Sequence, residues 1–113
     1  MTTYHAKIEV TAQSIADMMV GAIEGGSTYW CDHIDTANKD WSKAETYEKP
    51  FAFTVTDDDD NVYVMDNVST QKGLELMAND YPTHFADMMQ EQGDAETSDV
   101  FFQLCVLGEL VYG

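Results

Sequence analysis

The chain has 113 residues, 44% of them apolar and 12% aromatic, enough for one folded domain with its own core and too few for two. Five Lys, no Arg and 21 Asp and Glu give a net charge of −16, which opposes direct binding to nucleic acid or to anionic membrane surfaces. Two cysteines are too few for a disulfide scaffold, and no apolar run approaches the roughly 18 residues that span a bilayer.

In chain order, Tyr4, Ala6, Ile8 and Val10 alternate with His5, Lys7, Glu9 and Thr11, which predicts a half-buried strand over residues 3–10. Thr11 is placed to cap a helix whose apolar residues Ile15, Met18, Met19, Ala22 and Ile23 recur at helical spacing. Gly25-Gly26 is expected to end that helix in a left-handed cap. Residues 28–34 are β-branched and aromatic, a second strand. The polar stretch 35–50, with Trp41 and Pro50, reads as a long loop. Phe51, Phe53 and Val55 alternate, then Asp57-Asp58-Asp59-Asp60-Asn61 interrupts, then Val62, Val64 and Val68 alternate with Tyr63 and Met65. This is the pattern of a hairpin with an acidic turn.

The second half turns helical. Ser69 or Thr70 can cap a helix carrying Leu74, Met77, Ala78 and Tyr81 on one face, and Pro82 suits the first turn of the next, with Phe85, Met88 and Met89 inward. Gly93 breaks it, Thr97 or Ser98 can start a helix with Phe101, Leu104 and Cys105 on one face, and Glu109–Tyr112 reads as a last short strand. The expected fold is one α+β domain over residues 1–113, a small antiparallel sheet of about four strands packed against three to four helices. The N-terminus lacks a basic region followed by an apolar run, so no signal peptide and a cytoplasmic location are expected.

The charge is uneven. Residues 1–56 carry eight acids and four Lys, whereas residues 57–113 carry thirteen acids and only Lys72. Two clusters stand out: Asp57, Asp58, Asp59 and Asp60 in the hairpin turn, and Glu91, Asp94, Glu96 and Asp99 around the last helix junction. Read as an EF-hand loop, the first cluster fails, because Val62 and Val68 stand where the glycine and the bidentate glutamate belong. Cys31-x-His33 puts a thiol and an imidazole on one strand face, but His5 and His84 do not complete a recognisable zinc pattern, and no third group orients a nucleophilic dyad. No metal or cofactor is therefore expected, and no enzyme. Gly25-Gly26-Ser27 follows a helix end, the wrong pole for phosphate. Cys105 and the Met-rich faces read as core filler. Tyr29, Trp30 and Trp41 are candidate aromatic anchors for a partner.

Two stretches, IADMMVGAIEGGSTYWCD (residues 15–32) and YPTHFADMMQEQGDAETSDVFFQLCVLGELVYG (residues 81–113), resemble a family of small proteins from tailed phages and bacterial prophages. Its marks are a helix ending in EGG followed by S-x-YW, a C-terminal helix of the form DVF-x-Q, and a terminal GE-[IL]-VYG. The family carries no agreed activity, so the resemblance transfers no catalytic residue. It implies a phage origin, and with the charge it gives the expectation of a non-enzymatic inhibitor of bacterial defence, of anti-CRISPR or anti-restriction type. Such a protein would bind a Lys/Arg-rich surface on a host protein or ribonucleoprotein by imitating the charge of DNA. The alternative expectation is an interaction module that binds through Tyr29, Trp30 and Trp41, with its acidity serving solubility. A homodimer is possible on either reading, through the edge at Glu109–Tyr112.

Overall fold

The computed structural model describes residues 2–113. Five helices and three strands form an α+β fold in the order α1 (Ala12–Gly21), β1 (Cys31–Asp35), α2 (Ala44–Tyr47), β2 (Ala52–Asp57), β3 (Val62–Asp66), α3 (Asn67–Asp80), α4 (Pro82–Met89) and α5 (Ala95–Leu107). The sheet is antiparallel in the order β1-β2-β3. Phe53, Val55 and Met65 face the helices, while Ala52, Thr54, Val62 and Val64 face away. The valines of β3 thus lie on the open face, and Val68 belongs to α3.

The centre of the molecule is α5. Its residues Thr97–Val106 are all buried, because α1, α3 and α4 pack around it and β3 closes one side. A helix covered on every side shows no amphipathic stripe, so its single expected face understates its burial. Phe101, Phe102 and Leu104 meet Met19, Met65, Met77 and Met88 in one core. Each such side chain contributes about 1.5–3 kcal/mol of burial. At residue 73 of α3 only a glycine fits against α5, since a Cβ there would lie 2.8 Å from the Cys105 backbone nitrogen.

Local signals placed the caps to within a few residues. Thr11 caps α1, its Oγ1 accepting the Ser14 N–H, and Pro82 opens α4. Asp66, rather than Ser69 or Thr70, caps α3 in a reciprocal capping box with Ser69, and Asp94, rather than Thr97 or Ser98, caps α5. In both places an aspartate three residues upstream outcompetes the hydroxyl as acceptor.

Four expectations are corrected. Residues 3–10 form no strand: alternation supplies faces, but a strand exists only when hydrogen-bonded to a neighbour, and none borders this segment. Glu109–Tyr112 is not a strand either, because the Val111 and Tyr112 N–H groups both donate to the Gln103 side chain at 2.9 Å. The sheet therefore has three strands rather than about four. Gly25-Gly26 adopts no left-handed cap; α1 runs into a π-helical turn, Ala22–Gly26, closed by the Ser27 N–H on the Ala22 carbonyl. Gly26 is needed for proximity, since a Cβ there would sit 2.3 Å from the Ala95 carbonyl oxygen. Finally, the long loop contains α2, whose Tyr47 packs edge-on against Phe51 and Phe53.

Candidate functional site

The acidic turn is a built structure. Asp57 ends β2 and is buried, and its carboxylate accepts the backbone N–H groups of Asp59 and Asn61 and the Asn61 side-chain amide at 2.9–3.1 Å. The hydroxyls of Tyr63 and Tyr112 lie 3.3 and 3.4 Å from Oδ2, the oxygen that also accepts the Asn61 side-chain amide. Burial pushes the Asp57 carboxyl up, and the donors from Asn61, Asp59 and Tyr63 more than offset it, holding it below the usual carboxylate range. Asp60 takes a left-handed backbone conformation, φ +64°, to complete the turn. Asp58, Asp59 and Asp60 consequently project into solvent from a fixed loop, and Asp57 does not belong to the exposed surface.

Asp99 is likewise removed from the surface. It is buried in α5, where Oδ1 accepts from Ser27 Oγ and Trp30 Nε1, both at 2.8 Å. Oδ2 accepts from the Tyr29 hydroxyl at 2.6 Å and Gln103 Nε2 at 3.0 Å. Four donors replace the missing cation, which is how a buried carboxylate avoids an uncompensated charge. Burial first, then Asp99, pushes the Tyr29 hydroxyl up to about 12. Gln103 also accepts from and donates to the tail at Val111 and Tyr112. The Tyr112 ring stacks on Trp30 at 5.4 Å. The EGGSTYW corner, the DVFFQ segment and the terminal VYG therefore converge on one buried knot. Gln103, not singled out as a residue by sequence reasoning, is its hinge; its place in the DVF-x-Q pattern was the available signal.

The aromatic candidates separate. Trp30 is buried between Phe102 and Tyr112 and cannot anchor a partner. Trp41 is half-buried, and its carbonyl accepts from the Tyr47 hydroxyl. Tyr29 is 51% exposed but its hydroxyl is committed to Asp99.

Among the acids, the corner gathers one group. The Asp58 N–H donates to the Trp30 carbonyl at 3.0 Å, bringing the turn against the start of β1, where Asp32 is exposed. Glu96 borders the other side of the same corner, in a pocket with Gly25, Gly26, Tyr29 and Tyr112. Glu91 and Asp94 lie apart, lining a groove with Asp17 and Met18 of α1. Asp94 is committed as a cap: the Thr97 backbone and hydroxyl donors hold its carboxyl low.

Cys31 and His33 do not share the strand face expected of them. A bulge between them shifts the register, so Cys31 lies opposite Asp57 and His33 opposite Thr56, putting them on opposite faces. Burial, then Asp32 and Asp58, pushes the Cys31 thiol up to about 11. At neutral pH its alkylation is expected to run more than tenfold slower than in the urea-unfolded chain, because so little thiolate is present. Labelling as fast as in the unfolded chain would restore the nucleophile. No group of three or more His, Cys, Asp or Glu placed to hold a metal occurs among the described residues. Among them too, no helix is long and apolar enough to cross a membrane. No protein-family model, curated protein or solved structure matches the chain.

Proposed function

We propose that this chain is a non-enzymatic, phage-encoded inhibitor of a bacterial defence system, of anti-CRISPR or anti-restriction type. On this reading it occupies a Lys/Arg-rich, nucleic-acid-handling surface of a host protein or ribonucleoprotein in the bacterial cytoplasm. The observation that carries the reading is the rigid display of Asp58, Asp59 and Asp60 beside Asp32, on a turn whose own buried Asp57 fixes their backbone. A pre-ordered array loses little entropy on docking, and closely spaced carboxylates match a channel built for phosphates. Glu96 extends the array around the corner; Glu91 and Asp94 supply long-range attraction from another face. Asp57 and Asp99 support the array from inside.

The test uses a triple variant, Asp58→Lys, Asp59→Lys and Asp60→Lys, which leaves Asp57 in place. A host partner captured by the wild-type protein is expected to elute as salt rises, and the variant is expected to bind at least about tenfold more weakly, about 1.4 kcal/mol. Unchanged affinity with an unchanged salt slope would remove the turn from the interface. Retention at high salt would instead favour contacts through Tyr29 and Trp41.

A further inference from the structure

Large exposed apolar side chains concentrate in two strips. Tyr4 and Ile8 are 89% and 61% exposed in the N-terminal segment, and Val62 and Val64 are 63% and 55% exposed on the open face of β3, with Val68 just beyond. An apolar surface of this kind on an otherwise highly charged chain marks an interaction site. We infer that the two strips lie side by side between two copies of the chain, residues Tyr4–Ile8 of one copy adding as a strand to the free edge of β3 in the other.

Four observations carry the pairing. First, Tyr4, Ala6 and Ile8 have the two-residue period of a strand, yet the segment forms none within its own chain. Second, among the described residues β3 pairs only with β2, so its other edge presents unpaired backbone donors and acceptors to any extended chain. Third, the lengths agree, since β3 has five residues and Tyr4–Ile8 has five. Neighbouring strands share faces, so one register sets Tyr4, Ala6 and Ile8 beside Val62 and Val64. Fourth, Tyr4–Ile8 contains Lys7 and His5 and no acid, in a chain of net charge −16, and β3 begins next to Asp58–Asp60. The segment is therefore attracted to that edge where most of the chain would be repelled. The opposite edge, β1, shows His33 and Asp35 on the open face and offers no apolar match. Reciprocal exchange gives a closed two-fold dimer with no free β3 edge. The inference concerns self-association and does not depend on the proposed target.

Sedimentation of the full chain tests it. The expected particle has about twice the 12.7 kDa of one chain. Ile8→Pro, which removes a ladder donor, and Val64→Lys, which charges the open face, should each weaken dimerisation at least about tenfold. Both positions are solvent-exposed, so an unchanged circular dichroism spectrum with cooperative thermal unfolding would show that the fold itself is intact. A wild-type protein with the mass of one chain at the highest soluble concentration would overturn the inference, as would a dimer insensitive to both substitutions. In a Cys31→Ser background, oxidation of the Ala6→Cys, Val64→Cys variant should link two chains, because five residues aligned on five set Ala6 opposite Val64 in either strand direction. A disulfide closed within one chain would place the segment on its own sheet and overturn the exchange.

Discussion

Replacing Asp99 with Ala is expected to lower the stability of the protein by about 3–5 kcal/mol, read as a shift in the urea midpoint with an unchanged m-value. The magnitude follows from the donors left behind. Trp30 Nε1 and Ser27 Oγ are buried and lose their acceptor at 2.8 Å, each unsatisfied donor costing about 1–3 kcal/mol, while Gln103 Nε2 loses one acceptor and keeps the Tyr112 carbonyl. Water that enters the vacated space offsets part of that sum. Asp99→Asn should cost less, about 1–3 kcal/mol, since its one oxygen still accepts and the Tyr29 hydroxyl can accept from its amide, while that amide opposes Gln103 Nε2. The network also sets an alkaline limit. The folded Tyr29 value of about 12 exceeds its ordinary 10.0, so its contribution is whole below pH 10 and is lost as pH rises through 12. Without Asp99 two of the causes of that rise vanish, and the fall in stability between pH 10 and 12 should be shallower in Asp99→Ala. Equal stability of Asp99→Ala and wild type at pH 7 would show that the knot does not hold the tail to the core.

Gly73→Ala is expected to destabilise by about 2 kcal/mol or more, although alanine is the better helix former by about 1 kcal/mol. The sign is decided by α5. The new Cβ would lie 2.6 Å from Cys105 Sγ and 2.8 Å from both the Cα and the backbone nitrogen of that residue. A flexible side chain can step aside, but the backbone of a helix buried on all sides cannot, and overpacking of this kind costs about 1–3 kcal/mol before the helices separate. Gly25→Ala is the control. Nothing lies within 4 Å of its Cβ position, so thermal unfolding should show no loss there. If Gly73→Ala matched it, α3 and α5 would be packed less closely than the structure shows.

Both substitutions act on residues whose importance is invisible in their local sequence. Glycine inside a helical pattern, or an aspartate in the first turns of a helix, looks the same whether it faces water or a neighbouring element. Residues 15–32 and 81–113 contain the knot residues Ser27, Tyr29, Trp30, Asp99, Gln103 and Tyr112, yet as strings they say nothing about who donates to whom. The candidate surface was legible only in part. Asp58, Asp59 and Asp60 are where a polar run between two alternating segments should put them, whereas Asp57 and Asp99, with the same chemistry, went inside.

The sequence by itself determined the α+β class, the β2–β3 hairpin, the Thr11 cap, the Pro82 helix start and the acidic excess, because each rests on contacts within a few residues or on composition alone. Tertiary structure decided the rest. Residues 3–10 and 109–112 alternate equally well, but a strand needs a neighbour within hydrogen-bonding reach, and one segment lies beside none in its own chain while Gln103 captured the other's N–H groups. The bulge that parts Cys31 from His33 is likewise a property of the β1–β2 register. Whether a carboxylate serves the surface or the core depends on donors about 70 residues away, as for Asp99 with Ser27, Tyr29 and Trp30. A polar group is stable inside only when such partners arrive together, and only the packed chain brings them.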